Sequence, residues 1–273
     1  RDEYAIWDPE AQTYLFPEPD PLYYDQVPWS RKTRQNRIKV LSRLASSMIP
    51  GAPDASGHSL IIAPARAVIT RTMPRRDFVK STELIRPGQQ AAIPELVRSW
   101  VKKGYEGASI VIAPGQFARR GGILDIWPPG DSFPSRLEFF GDEIDMLRRF
   151  DPETQRTIQI TDQLLITPAR EFLLPEEELD AAEGESTSSE YHIPLYHPRE
   201  TTLLSYLPRE VLVVVDDWDV FKETVAEVEE QAGSLRARYR EEASLPSDYP
   251  LPYISWDAFR DRLDERSALS LGP

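Results

Sequence analysis

Residues 115–128 read GQFARRGGILDIWP, and residues 136–145 read RLEFFGDEID. In both stretches apolar residues alternate with charged ones, and Gly and Pro mark the turns. Alternation over short runs is typical of strands that are covered on one face only. The two stretches therefore predict two or three short antiparallel strands at the centre of the chain.

The second of these strands carries different chemistry on its two faces. Because successive side chains point to opposite sides, Arg136, Glu138 and Phe140 share one face, and Leu137 and Phe139 share the other. Both faces carry a Phe, but only one carries charges. A Phe beside an Arg and a Glu on a solvated face makes a poor core, and it fits a surface for docking a partner protein.

Length and composition bound the class of protein. The chain has 273 residues, enough for roughly two domains. It is 40% hydrophobic, so a core can form, and its 28% content of charged residues is ordinary for a globular protein. No apolar run is long enough to span a bilayer, and there is no signal-peptide pattern, so we expect no membrane partner.

Cysteine and histidine usage excludes several kinds of site. With no Cys in the chain, disulfides and thiolate metal sites are excluded, which fits a reducing cytoplasm, and we expect a cytoplasmic protein. The three His residues are too few and too scattered for a convincing metal site. We therefore expect no metal and no cofactor in this chain.

The negative charge is concentrated at one end. The chain carries a net charge of −13, and residues 171–273 alone hold 24 Asp and Glu against 9 Lys and Arg. One interpretation is a solvated face with a flexible loop at residues 176–190. The other is a surface that repels DNA or contacts a basic partner domain.

The N-terminal block predicts an α/β layer. A basic amphipathic helix follows Trp29, and a buried strand at residues 59–64 precedes a short helix at residues 65–72. The basic face of the first helix either touches phosphates or is only solvated. In that helix Ile38, Leu41, Leu44 and Ala45 are predicted to face inward, and Arg34, Arg37 and Arg43 outward.

The middle block combines one helix with the antiparallel strands. The helix is predicted at residues 93–103, with Pro94 in its first turn and Gly104 at its C-terminal end. Its inward side chains would be Leu96, Val97, Trp100 and Val101. A helix against an antiparallel sheet makes a small α+β domain.

The C-terminal block contains an acidic pair after an apolar strand. Residues 211–217 predict a strand that is buried on both faces, and residues 219–240 a long helix. Asp216 and Asp217 suggest a magnesium- or nucleotide-binding site, but the sequence contains no phosphate loop of the form GxxxxGK[ST]. They fit better as a cap of the next helix. The chain also lacks a legible nucleophile–His–acid set, so its residues predict a non-catalytic interaction module.

At this point the residues carry a family resemblance. The chain resembles, along essentially its whole length, the module shared by bacterial transcription-repair coupling factors (Mfd) and the excision-repair subunit UvrB. The segments that carry the resemblance are residues 115–128, 136–140 and 142–144, FDPETQR at residues 150–156, LYYD at residues 22–25 with Pro28, the helix at residues 37–44, and TLLSYLP at residues 202–208.

The resemblance implies a fold class. It implies an α/β fold with an inserted α+β domain, in which a degenerate RecA-like (P-loop-like) layer is joined by a small antiparallel sheet packed on a helix. Residues 1–82 would form the first part of the RecA-like domain, residues 83–165 the inserted domain that interacts with UvrA, and residues 166–273 the second part.

The coupling factors fit this chain better than UvrB does. The interval between Tyr24 and the helix at Arg34 is too short for the aromatic-rich β-hairpin with which UvrB grips damaged DNA, and the phosphate loop is missing. The resemblance implies that this chain is a fragment whose first family strand precedes Arg1. The intact protein would be a translocase that uses ATP and Mg²⁺ and meets RNA polymerase and DNA through other domains.

The resemblance also implies a partner and a site. A coupling factor removes RNA polymerase stalled at a lesion and recruits UvrA, and the contact residues of the family fall on Arg120, Arg136 and Phe140, with Glu138 and Arg119 as secondary candidates. Internal pairing of the arginines with Asp125 or Glu138 is the competing interpretation. A UvrB-like DNA-binding module and a docking face covered by another domain remain alternatives.

Overall fold

The computed structural model describes residues 12–25, 27–52, 57–179, 189–242, 244–246 and 248–271. The chain is mixed α/β, as predicted, and it forms two compact units. The first unit contains residues 1–33, 57–75 and 189–273, and the second contains residues 34–56 and 76–188. The domain boundaries predicted at residues 82/83 and 165/166 stay a prediction.

Short strands and one long helix dominate the architecture. The strands are β1 (Gln12–Leu15), β2 (Ser59–Ile62), β3 (Glu83–Ile85), β4 (Glu106–Gly107), β5 (Gln116–Arg120), β6 (Ile123–Ile126), β7 (Ser135–Phe140), β8 (Glu143–Phe150), β9 (Thr157–Thr161), β10 (Leu164–Ile166), β11 (Val213–Val215) and β12 (Ala268–Ser270). The α-helices are α1 (Arg31–Ala45), α2 (Ala65–Ile69), α3 (Arg75–Ser81), α4 (Ile93–Lys102), α5 (Glu176–Leu179), α6 (Ile193–Tyr196), α7 (Trp218–Glu241) and α8 (Trp256–Asp264).

The first unit contains two parallel strand pairs, β1 with β2 and β11 with β12. The strands predicted as buried at residues 59–64 and 211–217 are shorter and more exposed than predicted. Both ends of β2 are exposed, and Val214 in β11 is 47% exposed. The prediction was wrong because each strand lies in a sheet of only two strands in the described part of the chain, which does not cover both faces.

The long helix α7 begins where the acidic pair suggested. The side chain of Asp217 accepts a hydrogen bond from the Val220 amide at 3.0 Å, so Asp217 is the N-cap. Val225, Val228 and Ala232 recur at helical spacing and pack into the core of the first unit. Asp217 of the acidic pair is thus explained by helix capping.

The second unit is built on a sheet with the order β4-β5-β6-β7-β8-β9, antiparallel except for the β4–β5 pair. One face packs on α4, where the fully buried Trp100 meets the edge of Phe117 at 5.9 Å between ring centroids. Gly104, with φ +83°, ends the helix as predicted. This core contains Ile85, Ile93, Trp100, Tyr105, Phe117, Leu124, Ile126, Leu137, Ile144, Leu147, Leu164, Ile166 and Ala169.

The basic helix α1 corrects one prediction. Arg37, predicted to face outward, is fully buried, and its Nε and Nη2 atoms donate to the two carboxylate oxygens of Glu171 at 2.5 and 3.0 Å. Both members of this ion pair lie in the second unit. The inward prediction holds for Ile38, Leu41 and Ala45, which are fully buried. Because Arg37 is held in this buried bidentate pair, it does not belong to the basic face that could contact phosphates.

Two further predictions fall partly or wholly outside the described residues. Of the acidic loop expected at residues 176–190, residues 180–188 lie outside them, and residues 176–179 form α5. The short extended segment expected at residues 4–7 also lies outside them.

Candidate functional site

The six-stranded sheet has an inner and an outer face. The inner face carries Leu124, Leu137 and Leu147, which are directly opposite one another and face the core on α4. Since side chains alternate, the cross-strand partners Asp125, Arg136 and Arg148 lie on the other face, called the outer face below. The charged face predicted from the sequence is this outer face.

Asp125 is the centre of the outer face. Its carboxylate is almost fully buried, with the side chain 1% exposed, and it accepts hydrogen bonds from two arginines. Arg120 Nη2 lies 2.6 Å away, and Arg136 donates through Nε at 2.7 Å and Nη2 at 2.9 Å. The internal pairing with Asp125 left open by the sequence is therefore present, and two cations share one buried anion.

The shared carboxylate holds Arg136 in one orientation. Its guanidinium lies 4.6 Å above the ring centroid of the buried Phe150, and Nη2 is 3.4 Å from Oε1 of Gln155. Hydrogen bonding to Asp125 raises the pKa of Arg136 above its ordinary value, so the guanidinium stays charged. Because Asp125 and the Phe150 ring hold the Arg136 guanidinium in one orientation, Arg136 can bind a carboxylate of a partner with little further loss of side-chain entropy.

Phe140 stands at the end of β7, beside the turn that leads into β8. Its side chain is 84% exposed, whereas Phe139 packs against the inner core. Gly141 follows with φ +63°, a left-handed conformation that glycine adopts without strain. The turn thus presents a large aromatic ring to solvent, as the alternation predicted.

The secondary candidates are placed differently from each other. Glu138 lies on the outer face and pairs with Arg148, whose Nε is 3.1 Å from Oε1, and both side chains are about one-third exposed. Arg119 is exposed but sits opposite Leu124, so it belongs to the inner side of the sheet. The fold therefore gathers Arg120, Arg136 and Glu138 on one face and leaves Arg119 on the other.

Sequence reasoning missed Arg148. A bulge in β8 shifts the pairing between Glu138 and Phe139, so that Arg136 lies opposite Arg148. Regular pairing back from Phe140 and Glu143 would have placed Leu147 there. The alternation of β8 itself contained the signal, because it predicted a strand that carries Arg148 next to β7.

The described residues contain no group of three or more His, Asp or Glu side chains arranged to hold a metal ion. In the same part of the chain, no helix is long and apolar enough to cross a membrane. What the outer face offers instead is fixed positive charge next to an exposed aromatic side chain. Such a combination suits protein recognition.

Near the start of β7, Asp131 carries an unusual carboxyl group. Burial raises its pKa from 3.8 to about 6, although the positive charge of Arg149 opposes the shift. Because the folded-state pKa is raised, folding binds the proton more tightly, and the stabilising contribution is complete at low pH and is lost as the pH rises through 6.

Replacing Asp131 with Asn is therefore expected to change the pH dependence of stability. The advantage of the variant over the parent should be larger at pH 7.5 than at pH 4.5 by about 2 kcal/mol, since Asn never charges in its buried position. Urea unfolding at both pH values measures the difference. The same difference at the two pH values would contradict the raised pKa.

A comparison with a family model matches residues 84–172 to the UvrB interaction domain. The chain is 26% identical to the transcription-repair-coupling factor of Bacillus subtilis (strain 168), with 89% of this chain and 23% of the relative covered. It is 30% identical to that of Myxococcus xanthus over 62% of this chain and 13% of the relative. For the protein of Escherichia coli (strain K12) the identity is 34%, over 42% of this chain and 10% of the relative.

These matches confirm the resemblance to the N-terminal UvrB-like module of transcription-repair coupling factors. The matched domain spans the whole six-stranded sheet with α4, and therefore includes the outer face. The chain spans less than a quarter of the length of these curated relatives.

Proposed function

We propose that this chain, as the UvrB-like module of a transcription-repair coupling factor, recruits UvrA in transcription-coupled nucleotide excision repair. The observation that carries the proposal is the outer face of the UvrB interaction domain, where Phe140 is 84% exposed on the same strand, β7, as the anchored Arg136. The chain acts by docking and not by catalysis. Any use of ATP and Mg²⁺, and contacts with RNA polymerase and DNA, belong to other domains of the intact protein.

The residues of the outer face contribute to docking in different ways. Phe140 supplies apolar area that a partner can remove from water, which is how aromatic hot spots contribute to affinity. Arg136 and Arg120 supply donors that pair with carboxylates on UvrA, and Asp125 keeps both guanidinium groups in place. Glu138 orients Arg148 beside them.

We propose for the first unit a degenerate RecA-like layer. Its two parallel strand pairs with neighbouring helices support this assignment, and the sequence contains no phosphate loop. Such a layer serves as a scaffold.

The competing function, UvrB-like binding of DNA, receives less support. The basic helix was its main candidate, and Arg37 of that helix is committed to the buried pair with Glu171. The acidic excess over residues 171–273 also opposes contact with phosphates.

Titration calorimetry of the chain with purified UvrA tests the proposal. Phe140→Ala and Arg136→Ala are each expected to weaken binding by about 30-fold or more, the effect of losing a hot spot of about 2 kcal/mol. Phe133→Ala is the matched control, because Phe133 is a partly exposed Phe of the same unit that lies outside β7. Folding of each variant is checked by circular dichroism.

Two results would contradict UvrA docking. One is the absence of binding by the folded parent chain, and the other is equal weakening by Phe133→Ala and Phe140→Ala. Strongly salt-dependent binding to damaged duplex DNA by the same parent chain would favour the UvrB-like function instead.

A further inference from the structure

Strand β9 forms one end of the sheet in the described part of the chain. It pairs with β8 on one side and with no other described strand on the other. Its sequence, TIQIT, is rich in β-branched residues and has neither Pro nor Lys, the residues that commonly protect sheet edges. Its first four residues are exposed, so the edge is open to an additional strand.

The strand also exposes apolar side chains. Ile160 is 67% exposed and Ile158 is 47% exposed, although the sheet has a well-formed core on its inner face. Isoleucines exposed on an open edge strand are a feature that soluble proteins avoid, because they promote pairing with other chains. A partner that covers this edge would remove the apolar surface from water.

The edge is continuous with the proposed docking face. Arg136 lies directly opposite Arg148, and Arg148 lies directly opposite Ile160. Cross-strand partners share a face, so Ile160 extends the row of Asp125, Arg136 and Arg148 to the end of the sheet. A partner seated on Arg136 and Phe140 therefore needs to reach across only one strand, β8, to meet the edge.

The charge of the row restricts what can lie there. The row of Asp125, Arg136 and Arg148 carries two arginines against one carboxylate, which leaves one net positive charge in a chain that is strongly acidic overall. The complementary segment is therefore apolar at alternate positions and flanked by carboxylates.

We propose that the partner which docks on the outer face also adds an extended strand to β9, with an apolar side chain against Ile160. The inference rests on the proposed function, because the same partner supplies both contacts. Strand addition of this kind takes its affinity from main-chain hydrogen bonds and its specificity from alternate side chains. The docking site thus consists of the outer face together with the open edge of β9.

Ile160→Lys tests this inference with UvrA as the probe. The lysine places a charge on the edge and is expected to weaken binding at least tenfold, while the fold is kept because the side chain is already exposed. Ile112→Lys is the control, since Ile112 is also 67% exposed but lies in the loop between β4 and β5, the two strands farthest from β9 in the strand order. It should bind UvrA like the parent.

Hydrogen exchange gives a second readout that a side-chain contact alone would not move. Amides of β9 that face the open edge should exchange rapidly in the free chain and become protected when UvrA is bound. Unchanged exchange of the β9 amides when UvrA is bound would overturn the added strand.

The outcomes separate the two proposals. If Phe140→Ala abolishes binding and Ile160→Lys does not weaken it, UvrA docking stands and the added strand is refuted. If the parent chain does not bind UvrA, both fall. A dimer of the free chain that disappears in Ile160→Lys would assign the edge to a second copy of this chain, and would also overturn the inference.

Discussion

The Arg37→Met variant is expected to unfold with a free energy about 3–5 kcal/mol below that of the parent chain, as is usual when one member of a buried ion pair is removed. The side chains of Arg37 and Glu171 are 0% and 1% exposed. Methionine fills much of the space of the arginine stem, but it leaves the Glu171 carboxylate in an apolar site without its cation. Ionising that carboxylate then opposes folding.

Chemical denaturation measures this loss, and two further variants show that it comes from the buried charge. Adding Glu171→Leu to Arg37→Met should recover most of the stability, because no charge then remains to be buried. Lys102→Met, which breaks the exposed pair with Glu176, should change stability by no more than about 1 kcal/mol. Equal losses in Lys102→Met and Arg37→Met would show that burial of the Arg37–Glu171 pair is unimportant.

The second large effect is expected at Asp125. Asp125→Ala should lower the free energy of unfolding by about 2–3 kcal/mol, since charged hydrogen bonds to both arginines are lost at a buried position. The loss stays below that at Arg37 because Arg120 is 47% exposed and can turn to water. Affinity for UvrA should fall by at least 30-fold, because the guanidinium of Arg136 is no longer held.

The affinities of two Asp125 variants for UvrA show whether Asp125 positions the arginines or only stabilises the fold. Asp125→Asn keeps the shape and one acceptor, and is expected to retain more binding than Asp125→Ala when both are measured by calorimetry at a temperature where both are folded. Glu138→Ala, which breaks an ion pair that is one-third exposed, should change stability by less than 1 kcal/mol. Parental UvrA affinity in folded Asp125→Ala would show that Asp125 does not position the docking face.

Sequence patterns predicted the second unit well because its elements obey strict periods. Alternation located β5 to β8 and the exposed Phe140, and helical spacing located α4 with Trp100 inward. The pairing of Arg136 with Arg148 could not be predicted, since it depends on a bulge that skips one residue of β8. A one-residue shift changes every partner beyond it.

The error at Arg37 has a different cause. Arg37, Leu41 and Leu44 are spaced at i, i+4 and i+7, so the helical period itself placed Arg37 with the apolar residues. A charged side chain favours an outward prediction, and the compensating Glu171 could not be recognised because it is 134 residues away in sequence. The exposure of β2 and β11 was missed because an apolar run does not reveal how many strands will lie beside it.

The single carboxylate shared by Arg120 and Arg136 makes the two arginine positions epistatic. While both arginines are present, two positive charges pair with the one negative charge of Asp125. Replacing either arginine therefore still leaves Asp125 with one cation. Once one has been replaced, the other becomes the only cation within hydrogen-bonding distance of Asp125 among the contacts described above. The tolerance of either position to mutation is therefore set by the state of the other.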